Sequence, residues 1–124
     1  MDNHLLTAQN HQIAKRWLQA FNDHDLEALL SLYDEDARHF SPKLKLSKPE
    51  TEGLIIGKSA MREWWKDAFD RLPNLEYRER SLTASENRVF MEYIRIVPGE
   101  LDMNVAEVLE IASSKIIASR VYHG

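Results

Sequence analysis

The apolar residues of this 124-residue chain change their spacing once, and that change restricts the fold more than any motif in it. Up to about Leu72 they recur every three or four positions, and from Leu75 onward they alternate. The first spacing lays a stripe along one side of a helix, and the second turns one face of a strand inward. Helices followed by a run of strands make an α+β arrangement, in which helices cover one face of an antiparallel sheet. A single domain spanning 1–124 is expected, because a chain of this size buries roughly 65–70% of its unfolded surface in one core.

In the helical part, Leu6, Ile13, Trp17 and Phe21, with Ala14 and Ala20 beside them, predict a helix from about Thr7 to Phe21. "NDHD" interrupts it, and Asp25 is suited to cap a short second helix. Leu26, Leu29, Leu30 and Tyr33 fall at i, i+3, i+4 and i+7, so that helix is expected to end near Tyr33, with Asp34, Glu35 and Asp36 as its solvated end. "PKLKLSKPETEGLIIG", from Pro42 to Gly57, carries two prolines and two glycines and is expected to be mostly irregular, in the manner of a lid. Met61, Trp64, Trp65, Ala68, Phe69 and Leu72 predict a third helix, capped by Ser59 and stopped by Pro73. Strands are expected at 75–84, 88–97, 102–112 and 115–123, with a further one at Arg38–Ser41 joining the same sheet.

Composition narrows the function classes. With 44% hydrophobic and 29% charged residues the chain is of the globular kind. The absence of cysteine excludes thiolate nucleophiles, disulfides and sulfur-ligated zinc. A net charge of −4 without a basic run argues against nucleic acid. No apolar run approaches the roughly 20 residues of a membrane-spanning helix, and the start of the chain lacks a secretory pattern, so a cytoplasmic setting is expected. Neither a glycine-rich phosphate loop nor a glycine-flanked serine elbow occurs, and no cofactor is expected. Asp34-x-Asp36 followed by His39 is too sparse for a hard cation or zinc, and no metal is expected.

Gly99-Glu100 has the Gly-X form of a two-residue hairpin loop, which would pair Val97 with Asp102. Glu92 would then face Glu107, and Phe90 would face Leu109, on one side of the sheet. Two carboxyls on an apolar face hold a proton above the ordinary range, and a neutral carboxyl there can donate to a developing oxyanion. A wet edge or an arginine partner is the plainer alternative. A two-residue "SS" turn would set Arg120 opposite Glu107, and a three-residue "ASS" turn would set Ser119 there. His39 is the second candidate, because histidine exchanges protons near neutrality. His4, His11 and His24 are assigned no role, and His123 lies at the end of the last strand. Trp17, Trp64 and Trp65 sit on apolar stripes, where indoles are ordinarily core, although three aimed at one sheet could line a cavity.

"AKRWLQAFNDHDLEALLSLYDEDA" at 14–37, "SP" at 41–42, "GKSAMREWW" at 57–65, Pro73 and "KIIASRVYHG" at 115–124 together resemble the nuclear transport factor two-like superfamily, in its SnoaL-like and ketosteroid-isomerase-like branch. The resemblance implies a cone: a strongly bent antiparallel sheet wrapped around three N-terminal helices, an apolar pocket inside, and an outer sheet face used for homodimerisation. Matched to the ketosteroid isomerase pattern, the catalytic-base aspartate falls at Ser41 and the oxyanion-hole tyrosine at Trp17. The second oxyanion donor falls at Glu107, and the aromatic of the third helix at Trp65. Ser119 and Val121 come to the pocket side, which favours the three-residue turn. With its base replaced by serine, the steroid mechanism does not carry over. His39 shares the inward side with Ser41, so the expectation is that His39 serves as general base, with Glu107 and Glu92 as acid or oxyanion partners. Trp17, Ser41, Trp65, Phe90 and Ser119 would contact the ligand. The chemistry would be that of an isomerase, cyclase or dehydratase acting on a small apolar or amphipathic carbonyl compound. A noncatalytic binding or dimerisation module of the same fold is the alternative.

Overall fold

The computed structural model describes residues 3–123. Four α-helices, α1 (Asn3–Asn22), α2 (Leu26–Ser31), α3 (Pro42–Ser47) and α4 (Lys58–Arg71), pack against six strands. The strands are β1 (Tyr33–Phe40), β2 (Leu54–Ile56), β3 (Glu76–Ala84), β4 (Arg88–Ile96), β5 (Met103–Ala112) and β6 (Lys115–His123). They form one curved, unclosed sheet in the order β2-β1-β6-β5-β4-β3, in which β1 and β6 are parallel and every other pair antiparallel. The α+β class is as the change of spacing implies, but β1, α3 and β2 stand between α2 and α4. Among the described residues no helix is long and apolar enough to cross a membrane.

The stripe of α1 is buried through Ile13, Ala14, Trp17, Leu18 and Phe21, and α4 buries Met61, Trp65 and Phe69. Both meet the inner sheet face, where Val89, Met91, Tyr93, Val105, Leu109 and Ile116 complete the core. The Asp25 side chain accepts from the Ala28 N–H at 3.0 Å, the cap expected for α2.

Four expectations need correction. Helix α2 ends at Ser31, so Tyr33 opens β1, and "YDEDARHF" is a strand rather than a helix end and its turn. The segment 42–56 is ordered: α3, a 3-10 turn at Pro49–Thr51, and β2, which pairs with β1 through Arg38, His39 and Phe40. Proline at the first position of α3 costs no hydrogen bond, because that N–H has no partner in a helix anyway. The residue before α4 is Gly57 at φ +91°, which makes no side-chain cap; Ser59 lies inside the first turn.

The β4–β5 register is the fourth. The turn is Val97-Pro98-Gly99-Glu100, closed by the Glu100 N–H on the Val97 carbonyl at 3.0 Å, with Gly99 at φ +87°. Proline and glycine at its two central positions are the type II signature. Arg95 now pairs with Met103, Glu92 with Ala106, and Met91 with Glu107, one residue off the expected register. Because side chains alternate, a one-residue slip turns all of one strand over. Val89, Met91, Tyr93 and Arg95 face inward, while Phe90 and Glu92 face out. Phe90 is 41% exposed, and Glu92 accepts from the Ser81 hydroxyl at 2.6 Å, so neither belongs to the interior of the cone.

Between β5 and β6 neither proposed turn gives the register alone. The turn is two residues, Ser113 and Ser114, at φ +50° and +64°. A bulge then shifts β6, so that Leu109 pairs with Ser119 and Glu107 with Val121. Arg120 stays on the outer face, bonded to Glu110 at 2.8 Å, and is no partner of Glu107.

Candidate functional site

Alternation along the strands brings His39 from β1, Tyr93 and Arg95 from β4, and Glu107 from β5 to the inner face of the sheet. Opposite them stand Trp17 and Phe21 on α1 and Trp64 and Trp65 on α4. Between these walls lies a cavity of about 460 Å³ that also reaches Ser41, Tyr77 and Val121.

Much of its wall is aromatic. Phe21 and Tyr77 stack with centroids 3.9 Å apart, Tyr77 and Tyr93 at 4.1 Å, and Trp17 packs on Phe21 at 5.3 Å. Trp65 tilts against both Tyr33, at 5.2 Å, and His39, at 5.3 Å. Three indoles do converge here, although Trp17 and Trp65 are also core, at 1% and 4% exposure.

A buried carboxyl and a buried imidazole lie within this wall. Glu107 is 1% exposed; its Oε1 accepts from the Tyr93 hydroxyl at 2.7 Å, while Oε2 is buried without a partner. Burial pushes its carboxyl up to about 7, against the opposing pull of the Tyr93 hydrogen bond. Burial and the Glu107 charge together hold the Tyr93 hydroxyl protonated, well above the usual phenol range.

His39 is 2% exposed and ends a chain of oriented hydrogen bonds. The Trp17 indole N–H donates to the Tyr33 hydroxyl at 3.0 Å, and Tyr33 donates to Ser119 Oγ at 2.9 Å. Ser119 Oγ lies 2.7 Å from His39 Nδ1. The Trp17 and Tyr33 protons are both used along the chain, so the serine hydroxyl is free to donate to Nδ1, an arrangement in which the neutral ring carries its own proton on Nε2. Burial lowers the His39 pKa to about 4, which keeps the ring uncharged at neutral pH.

The sequence-derived candidates therefore separate. His39, Glu107, Trp17, Ser41 and Trp65 line the cavity. Ser119 stands behind His39 as its hydrogen-bond partner, fully buried. Glu92 and Phe90 are outside. Tyr33, Tyr77, Tyr93 and Arg95 were missed. In "RVFMEYIRI" both faces carry large apolar residues, so alternation alone does not choose between them, and the turn geometry had to. Asp34 and Asp36 are exposed on β1, and among the described residues no three metal-ligating side chains converge.

Tyr33→Phe tests the chain of hydrogen bonds. It leaves the buried Trp17 N–H without an acceptor, so unfolding stability is expected to fall by about 2 kcal/mol in denaturant titration. An unchanged midpoint would count against the linkage.

The model of the SnoaL-like domain matches residues 14–119 of this chain. No curated protein gives a significant match. Among solved structures, a SnoaL-like protein of unknown function from Burkholderia thailandensis superposes with a TM-score of 0.85 at 24% identity, covering 94% of this chain and 95% of that one. A putative ketosteroid isomerase from Kribbella flavida gives 0.79 at 16% identity, over 95% and 79% of the two chains. An uncharacterised cystatin-fold protein from Novosphingobium aromaticivorans gives 0.76 at 19% identity, over 91% and 97%. At these identities the structural likeness speaks for the fold, and the family rests on the domain match: the chain belongs to the SnoaL-like domain family.

Proposed function

We propose that this protein binds a small, mostly apolar carbonyl compound in the cone and moves a proton at a carbon beside that carbonyl, as an isomerase, cyclase or dehydratase would. The observation that carries the proposal is the unpartnered Oε2 of Glu107, a buried acid-base group in an aromatic cavity. An unpaired buried polar atom costs stability, so its retention favours a ligand that completes it. A carboxyl near 7 is poised both to take and to give a proton at neutral pH. Neutral His39, with its proton on Nε2, is suited to hydrogen-bond the carbonyl oxygen as it gains negative charge. The roles are thus reversed from the expectation that His39 is the base: an imidazole whose conjugate acid has a pKa of about 4 is a weak base, and Glu107 is the stronger one.

A homodimer through the outer sheet face is part of the same proposal, supported by the exposure there of Phe90, Ile117 and Tyr122. Sedimentation equilibrium would check it, and a concentration-independent monomer would exclude it.

The test of the chemistry is hydrogen-deuterium exchange at the α-carbon of a panel of apolar ketones in D2O, followed by NMR. Catalysed exchange that disappears in both His39→Ala and Glu107→Gln supports the proposal. Ketone binding without exchange would reduce the domain to a noncatalytic ligand carrier.

A further inference from the structure

The rim of the cavity carries a different chemistry from its interior, and the proton-transfer reading makes no use of it. Arg95 on β4 is 7% exposed and faces inward beside Tyr93. Its Nη1 donates to Glu100 Oε1 at 2.8 Å, and Glu100 is itself half exposed on the Val97–Glu100 turn. Lys43 on α3 and His123 at the end of β6 line the same rim. Glu100 is also the acidic group acting on Lys43, whose charge is disfavoured by burial and then by Arg95. One carboxylate is therefore bonded to Arg95 and acts on Lys43 through space. Arg71, also on the rim, has Asp67 as its own partner at 2.8 Å.

We infer that Arg95 and Lys43 form an anion-binding subsite, and that the molecule taken up by the cone is an amphipathic carboxylate whose head group displaces Glu100. The assignment rests on the cavity's being a small-molecule site and names its ligand class. Glu100 is the internal stand-in: a side-chain carboxylate held on the guanidinium through one oxygen, where a free carboxylate can engage the planar fork with two. Its turn is lightly packed, since Pro98, Gly99 and Glu100 are all exposed. Releasing Glu100 therefore disturbs little packing, and it returns the carboxylate to water. The spacing also fits. Arg95 pairs with Met103, four residues along β5 from Glu107, a backbone separation of about 13 Å. A body of one or two fused rings bridges it, with its carbonyl at Glu107 and its carboxylate at the rim.

The test uses a matched pair of probes, 2-naphthylacetate and its uncharged isostere 2-naphthylacetamide, titrated calorimetrically at pH 8 and low salt. The wild-type protein is expected to bind the acid about tenfold more tightly than the amide. Glu100→Gln, an exposed turn substitution, is expected to tighten acid binding by a further factor of about three through loss of the competing carboxylate, without changing the amide. Arg95→Gln should bring the preference below about twofold; if that variant does not fold, Glu100→Gln decides. Acid binding no tighter than amide binding, or unaltered by Glu100→Gln, overturns the inference. Binding of both probes without preference does so while leaving the cavity a small-molecule site. Failure of both to bind overturns the two together.

Discussion

Glu107→Gln is expected to make the protein more stable at pH 8 while removing the proposed proton transfer. In the folded state the carboxyl titrates at about 7, against an ordinary 4.5, so ionising it in place at pH 8 costs about 3 kcal/mol. Glutamine has nearly the same shape, still accepts from the Tyr93 hydroxyl, and carries no charge. Its amide nitrogen is left without an acceptor where Oε2 now lies, which returns about 1 kcal/mol. The net gain is about 2 kcal/mol, or roughly 8 °C in melting temperature for a chain of this size. At pH 5 the folded wild type already holds the proton and the gain should vanish. Ketone exchange in the same variant should fall by at least about 100-fold. A variant no more stable than wild type at pH 8 would mean that Glu107 is ionised without cost, and so lacks the poise assigned to it.

The second large effect is hidden in the wild type and exposed by single substitutions. His39 has a folded pKa depressed from 6.5 to about 4, so its contribution is present above pH 6.5 and lost as pH falls toward 4. Glu107 has a folded pKa raised from 4.5 to about 7, so its contribution is present below pH 4.5 and lost as pH rises toward 7. Between pH 4.5 and 6.5 the folded and unfolded states each bind one proton across the pair, on Glu107 when folded and on His39 when unfolded. The two slopes cancel, and the pair adds no pH dependence there. Glu107→Gln removes one slope: relative to wild type its stability should fall by about 3 kcal/mol on acidification from pH 6.5 to 4. His39→Gln should show the opposite, a fall of similar size as pH rises from 4.5 to 7. Urea denaturation across this range checks both, and parallel curves for wild type and the two variants would refute the buried pair.

How far the sequence reveals these features depends on which physical signal each one leaves. Helices α1 and α4 are legible because each buries a continuous stripe, Ile13-Trp17-Phe21 in one and Met61-Trp65-Phe69 in the other. His39 and Ser41 are legible as inward because a short strand before a proline alternates simply. Tyr33 is not, because a tyrosine one turn beyond a leucine stripe has helical spacing whether or not the helix continues to it. Glu92 and Phe90 are misassigned for a different reason. Strand periodicity fixes which residues share a face but not which face is buried, and the connection 97–102, in which Leu101 and Asp102 follow the Val97–Glu100 turn, is longer than a two-residue loop and sets an odd shift of register. Ser119 reached the inner face through a bulge, which no local pattern in "ASSKIIASR" announces. Tyr93 and Arg95 follow from the same register as Met91, so the one slip that expelled Glu92 also concealed them.

The place of β6 bears on how the molecule comes together. This strand lies between β1 and β5, and its pairing with β1 joins residues about eighty positions apart. During synthesis α1, α2 and the β3–β5 meander can settle from local contacts, but β1 has only the three residues of β2 to pair with until residues 116–120 emerge. The Ser119–His39 bond crosses that same seam, so the proposed acid-base site is among the last parts of the molecule to exist. A nascent chain halted before Ser119 would carry most of the core and lack the hydrogen bond that orients the histidine.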